Sequence, residues 1–160
     1  MFGVRPKRTF MEAAIKFLDE NQHKRSISDD AGRLRNLVQY IGKMPVDSIH
    51  MGSLQLFIEA RRKDQVKTRT INHGLKIVRR ICNLAATEWI DEYGLTWLAN
   101  APKIKLLPEH DLRKPYPLSW EEQHRLFSEL PEHLGQMALF AVNTGCRERE
   151  VCQLQWDWEI

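Results

Sequence analysis

Thr68-Arg69-Thr70-Ile71-Asn72-His73-Gly74-Leu75-Lys76-Ile77-Val78-Arg79-Arg80-Ile81-Cys82-Asn83-Leu84-Ala85-Ala86-Thr87-Glu88-Trp89 is the stretch on which the reading of the fold turns. Set at ~100° per residue, Ile71, Leu75, Ile77, Val78, Ile81, Cys82, Leu84 and Ala85 fill one half of a helical wheel. The other half holds Arg69, Asn72, His73, Lys76, Arg79, Arg80 and Asn83, with no acid among them. A helix this long and this two-sided needs other helices on its apolar side. The outer side is unusual because a merely solvated face mixes signs and uses Glu-to-Lys pairs. From Arg61 to Ala86 eight Lys or Arg stand against one acid, Asp64. Two readings follow: a surface that meets nucleic-acid phosphate, with Asn72 and Asn83 available for base edges, or a basic face without a ligand.

Three shorter amphipathic helices are predicted upstream. Thr9-Phe10-Met11-Glu12 is a capping box that opens the first, through Ala14, Ile15, Phe17 and Leu18 to about Asn21. Ser28, Asp29 and Asp30 begin the second, whose apolar face is Leu34, Leu37, Val38 and Ile41 and which Gly42 ends. The third runs from about Gly52 to Lys63, and the long fourth starts at Thr68 or Thr70 and reaches about Trp89. Lys24, Arg25, Lys63 and Lys67 lie in the connecting loops and are weaker candidates for phosphate contact. Residues 1–99 are therefore expected to form a four-helix bundle. Residues 100–118 carry Pro102, Pro108, Pro115 and Pro117 among Lys103, Lys105, Arg113 and Lys114. Proline without glycine predicts an extended, stiff, basic linker.

Downstream, Ser119-Trp120-Glu121-Glu122 is a second capping box, opening a helix that ends before Pro131. An apolar helical run through Met137, Ala138, Phe140, Ala141 and Val142 stops at Asn143-Thr144-Gly145, where glycine can take a positive φ. A short helix with Arg147 in its first turn spans 147–153. From Leu154 the pattern turns to period two, Leu154, Trp156, Trp158 and Ile160 alternating with Gln155, Asp157 and Glu159, which predicts a terminal strand.

Composition divides the chain in the same place. Residues 1–118 hold 21 Lys and Arg against 13 Asp and Glu, a charge of +8, while residues 119–160 hold 3 against 8, or −5. No apolar run has membrane-spanning length and no signal-peptide pattern follows Met1, so a cytoplasmic, nucleoid-associated location without a membrane partner is expected. Cys82, Cys146 and Cys152 have no C-x-x-C spacing, and the six histidines have no metal-ligand pattern; no metal or cofactor is expected.

Thr144, Gly145, Arg147, Glu150, Val151, Leu154 and Trp156 match in type and spacing the first catalytic box of the tyrosine recombinases. The chain resembles that phage-integrase family, although Trp158 stands where an Asp is common. The resemblance implies a mainly α fold: a SAM-like, four-helix core-binding domain over 1–99 forming half of a DNA clamp, the linker 100–118, then the helical start of a catalytic domain over 119–160 ending in one β-strand. It favours Arg69, Asn72, Lys76, Arg79 and Arg80 as contacts to double-stranded DNA. Members cut DNA without metal: a Tyr hydroxyl attacks the scissile phosphate and leaves a 3′-phosphotyrosine, and guanidinium groups hold the charge that grows on the phosphate oxygens. By resemblance Arg147 is the first of the two family arginines and Glu150 a buttress one turn on. A solvated, salt-bridged Arg147 is the plain structural alternative.

The family's β-turn Lys, His-x-x-Arg box and nucleophilic Tyr have no match here, since Tyr40, Tyr93 and Tyr116 all precede Arg147. The expectation is a front portion of a recombinase, inactive alone, whose full-length parent assembles as a tetramer on its attachment site. Otherwise the helices from 119 onward fold back onto the bundle. Two other functions fit the same residues: a non-enzymatic DNA-binding regulator of recombination, and a helical module whose basic face meets an acidic protein.

Overall fold

The structure is a computed structural model in which residues 5–110 and 114–155 are described. It is mainly α-helical and divides into two compact units, Met1–Leu112 and Arg113–Ile160. In the first unit α1 spans Phe10–Glu20, α2 Ile27–Ile41, α3 Gln55–Lys63 and α4 Thr68–Thr87, with one 3-10 turn, Val46–Ser48.

The capping box at the start of α1 forms as the sequence predicts. The Thr9 backbone N–H donates to Glu12 Oε2 at 2.6 Å and the Glu12 N–H donates to Thr9 Oγ1 at 3.3 Å. The Thr9 backbone N–H and then the Thr9 hydroxyl, which donates to the same Oε2 at 2.7 Å, hold the Glu12 carboxyl below the usual carboxylate range. Two further bonds, Phe10 N–H to Met44 O at 2.8 Å and Val46 N–H to Arg8 O at 2.9 Å, tie this corner to the chain leaving α2.

α2 packs against α1, α3 and α4, and α4 also meets α1 and α3. The shared core contains Phe10, Phe17, Leu34, Leu37, Ile41, Ile58, Ile71, Leu75, Val78 and Ile81, all essentially closed to solvent. α4 comes close to α3 at Gly74, where an added Cβ would stand 3.0 Å from the Phe57 ring. α3 begins later than expected, because residues 51–54 form turns in which the Ser53 hydroxyl and the His50 backbone bond each other. α4 stops at Thr87, and Trp89 turns into the core with its N–H on Leu84 O.

Beyond α4 the first unit does not end at residue 99. Leu98 donates to Ala85 O at 2.8 Å, Ile104 is buried, and Leu106 and Leu107 pack against the core. Trp97 lies 5.0 Å from Trp89, the Arg8 guanidinium sits 4.3 Å over Trp97, and Trp89 Nε1 donates to Glu20 at 2.7 Å. Arg5 Nε donates to Thr96 O at 2.8 Å, which ties the segment before α1 to the chain leaving α4.

In the second unit α5 spans Trp120–Glu129, α6 Glu132–Thr144 and α7 Glu148–Cys152. The Ser119 capping box forms, and the Tyr116 hydroxyl adds a 2.6 Å bond to the same Glu122 carboxylate, lowering its pKa. Gly145 takes φ 70° and its N–H caps α6 at Ala141 O, as the helix stop predicts. Val151 is the one buried apolar residue among the described residues of this unit, whereas Trp120, Leu139 and Val142 are more than half exposed. Among its described residues this unit has helices but no closed apolar core. Leu154 and Gln155 carry no regular structure, and Trp156 to Ile160 of the expected strand lie outside the described residues.

Replacing Leu75, fully buried at the centre of α4, by Ala should cost about 2–5 kcal/mol. Urea unfolding followed by far-UV circular dichroism measures this; a change within the error of the midpoint would mean that α4 does not carry the core.

Candidate nucleic-acid interface

Once the apolar residues of α4 are buried, its polar residues have a fixed address. Arg69, His73, Lys76 and Arg80 follow one another at steps of four, three and four, which is one stripe along the helix. Arg79 and Asn83 lie beside it. Arg69, Lys76, Arg79, Arg80 and Asn83 are exposed, and none of these four cations takes part in an ion pair among the described residues.

Two grooves flank the stripe. One, about 440 Å³, lies between α4, α2 and the turn after α1, and is lined by Phe17, Lys24, Asp30, Arg33, His73, Lys76, Ile77 and Arg80. The one acid that lines it among the described residues, Asp30, already holds Arg33 at 2.8 Å, and Lys24, Lys76 and Arg80 take part in no ion pair there. His73 is half-buried there. Burial first, and then Arg33, Lys76 and Arg69, push its pKa below the ordinary histidine value, with Glu109 opposing them. The other groove, about 710 Å³, lies between α4 and residues 101–106 and is lined by Arg79, Asn83, Lys103 and Lys105 with apolar neighbours.

Asn72 is a correction. Its expected place was the outward half of the wheel with its amide free for a base edge, but it is 1% exposed. Its Nδ2 donates to Leu107 O and Glu109 Oε1, both at 2.9 Å, and its Oδ1 accepts from the Leu107 N–H at 2.8 Å. The side chain thus satisfies an extended backbone that could not otherwise lie on a helix.

Of the other candidates, Lys24, Lys76 and Arg80 meet in the first groove and Arg79 lies in the second. Lys63 ends α3, Lys67 caps α4, Arg25 lies in the turn before α2, and Arg69 precedes the grooves on α4; none of these four lines either groove. Sequence reasoning missed Arg33, whose signal was its spacing of three from Asp30. It also undervalued Lys103 and Lys105, which only the packing of Ile104 brings beside Arg79.

In the second unit Arg147 is the N-cap of α7 instead of a residue of its first turn. Its backbone N–H donates to Glu150 Oε2 at 2.8 Å, and its guanidinium, 88% exposed, stands 3.7 Å from Glu150 Oε1. A guanidinium has no acceptor with which to complete a reciprocal cap, so the Glu150 carboxylate supplies the side-chain half of it, and the Glu150 and Val151 N–H groups on Arg147 O close the turn. Among the described residues no group of His, Cys, Asp and Glu is arranged to hold a metal, and no helix is long and apolar enough to cross a membrane.

Among the described residues the first unit thus gathers positive charge without ion-pair partners along α4 and in the grooves beside it. The chain is similar to the integrase of Salmonella phage P22, 26% identical over 185 residues that cover 96% of this chain and 45% of the relative. That likeness supports an integrase-family relationship, and the chain spans less than half the length of the relative. No protein-family model and no solved structure matches it.

Replacing Asn72 by Ala would leave both Leu107 backbone groups without partners, at a cost of about 1–3 kcal/mol. Hydrogen exchange at the Leu107 amide should accelerate markedly while amides inside α2 stay protected. Unchanged protection at Leu107 would show that the bond is dispensable.

Proposed function

We propose that the chain is the DNA-binding front portion of a tyrosine-type site-specific recombinase. Unit one contacts the duplex through α4 and the two basic grooves. The observation that carries this reading is the row Arg69, Lys76, Arg79 and Arg80, four exposed cations on one helix without ion-pair partners among the described residues. Leaving them unpaired raises self-repulsion that a phosphate backbone would relieve. The likeness to a phage integrase supports the same partner.

Residues 119–160 supply the first part of the catalytic domain in this reading. Arg147, exposed and fixed at its backbone by Glu150, holds the scissile phosphate when the rest of the domain is present. The His-x-x-Arg and Tyr boxes complete that chemistry in the full-length parent, which acts as a tetramer on its attachment site within the cytoplasm, at the nucleoid. Residues 1–160 bind without cutting.

Binding of residues 1–160 to a duplex of about 20 base pairs, followed by fluorescence anisotropy, should fall steeply with salt. The double reversal Lys76→Glu with Arg79→Glu should weaken it by at least about tenfold and flatten the salt slope by about two. Lys43→Glu, which lies in neither groove, is the control. Wild-type affinity in the double variant would remove α4 from the interface. Tight binding to an acidic protein, with none to duplex at low salt, would favour the protein-interaction module.

A further inference from the structure

The groove between α2 and α4 is lined by a histidine, His73, among the cations Lys24, Arg33, Lys76 and Arg80. We propose that this groove is a phosphodiester site in which one backbone phosphate is held by Lys24, Arg33, Lys76 and Arg80, and that filling it puts a proton on His73. The inference rests on the DNA-binding reading above and adds a regulation to it.

Among the described residues, the charged groups around the imidazole come from four segments. The turn after α1 contributes Lys24; α2 contributes Arg33 and Asp30, which are bonded to each other at 2.8 Å; α4 contributes Arg69, Lys76 and Arg80; and the segment pinned by Asn72 contributes Glu109. Half-burial is the first penalty on the imidazolium, and the strongly positive balance of these groups adds to it. In the free protein His73 is therefore neutral at physiological pH. A phosphodiester among the same cations contributes a negative charge and cancels part of their repulsion, so the imidazolium becomes favourable and donates from its ring N–H groups.

The sign of the linkage follows. The bound state takes up more protons than the free state, so affinity for DNA rises as pH falls through the bound-state pKa of His73. The gain levels off below the free-state pKa, and above the bound-state pKa this residue contributes no slope. Each unit by which the phosphate raises the pKa is worth about tenfold in affinity across that window.

The test uses residues 1–160 and a fluorescent duplex at constant ionic strength from about pH 5.5 to 8, the range of histidine titration. Wild type should gain severalfold in affinity toward low pH, and His73→Gln should lose most of that gain while the other five histidines remain. Proton NMR of the His73 ring, with and without duplex, gives a second readout on the unmodified protein: its pKa should move up on binding. Equal pH slopes in the two proteins, or a His73 pKa that does not move, would overturn the proton linkage while salt-sensitive binding left the DNA reading standing. Absence of salt-sensitive duplex binding at any pH would overturn both.

Discussion

Burial of one side of α4 is the constraint from which the rest of the first unit follows. Ile71, Leu75, Val78 and Ile81 are fully or almost fully enclosed by α1, α2 and α3. At about 1.5–3 kcal/mol for each large aliphatic side chain removed from water, no rotation of the helix that exposed them would be tolerated. With the rotation fixed, Lys76, Arg79 and Arg80 must point outward, whatever they meet there. The cationic surface is thus held rigidly by hydrophobic packing and needs no ion pair to orient it. Gly74 permits the same closeness on the α3 side, since a larger residue would have to displace Phe57.

The elements were legible to the extent that their signals are local. Both Ser or Thr capping boxes, the apolar stripes of α1, α2 and α4, and the left-handed Gly145 could be read from spacings of a few residues. What could not be read depends on contacts far apart in sequence. Asn72 looks outward on a helical wheel because the wheel has no knowledge of Leu107, thirty-five residues on, whose backbone it satisfies. The prolines and lysines of 100–118 suggested an extended, stiff linker, and the apolar residues Ile104, Leu106 and Leu107 between them were given no weight although they pack on the core of the bundle. The same oversight hid Lys103 and Lys105, which become part of a groove only because Ile104 is buried.

The two units solve the hydrophobic problem to different degrees. The first encloses its aromatic and aliphatic residues and leaves charge outside; the second has caps and helices of good local quality yet leaves Trp120, Leu139 and Val142 to solvent. Local signals therefore suffice to start and stop helices there, while a closed core needs more apolar contacts than the described residues of that unit make. Arg147 and Glu150 are held by a single turn and not by a packed interior, which fits a side chain that is 88% exposed.

The indole pair at the end of α4 has a use of its own. Trp89 and Trp97, 5.0 Å apart with their planes tilted by 57°, are close enough for their excited states to couple, and Arg8 and Lys16 lie over them. Such a dimer gives a signed pair of ultraviolet dichroic bands that vanishes when either ring moves away. Because both rings lie just beyond α4, where Trp89 is buried and Leu98 bonds back to Ala85, the signal is an intrinsic gauge of whether that closure is intact.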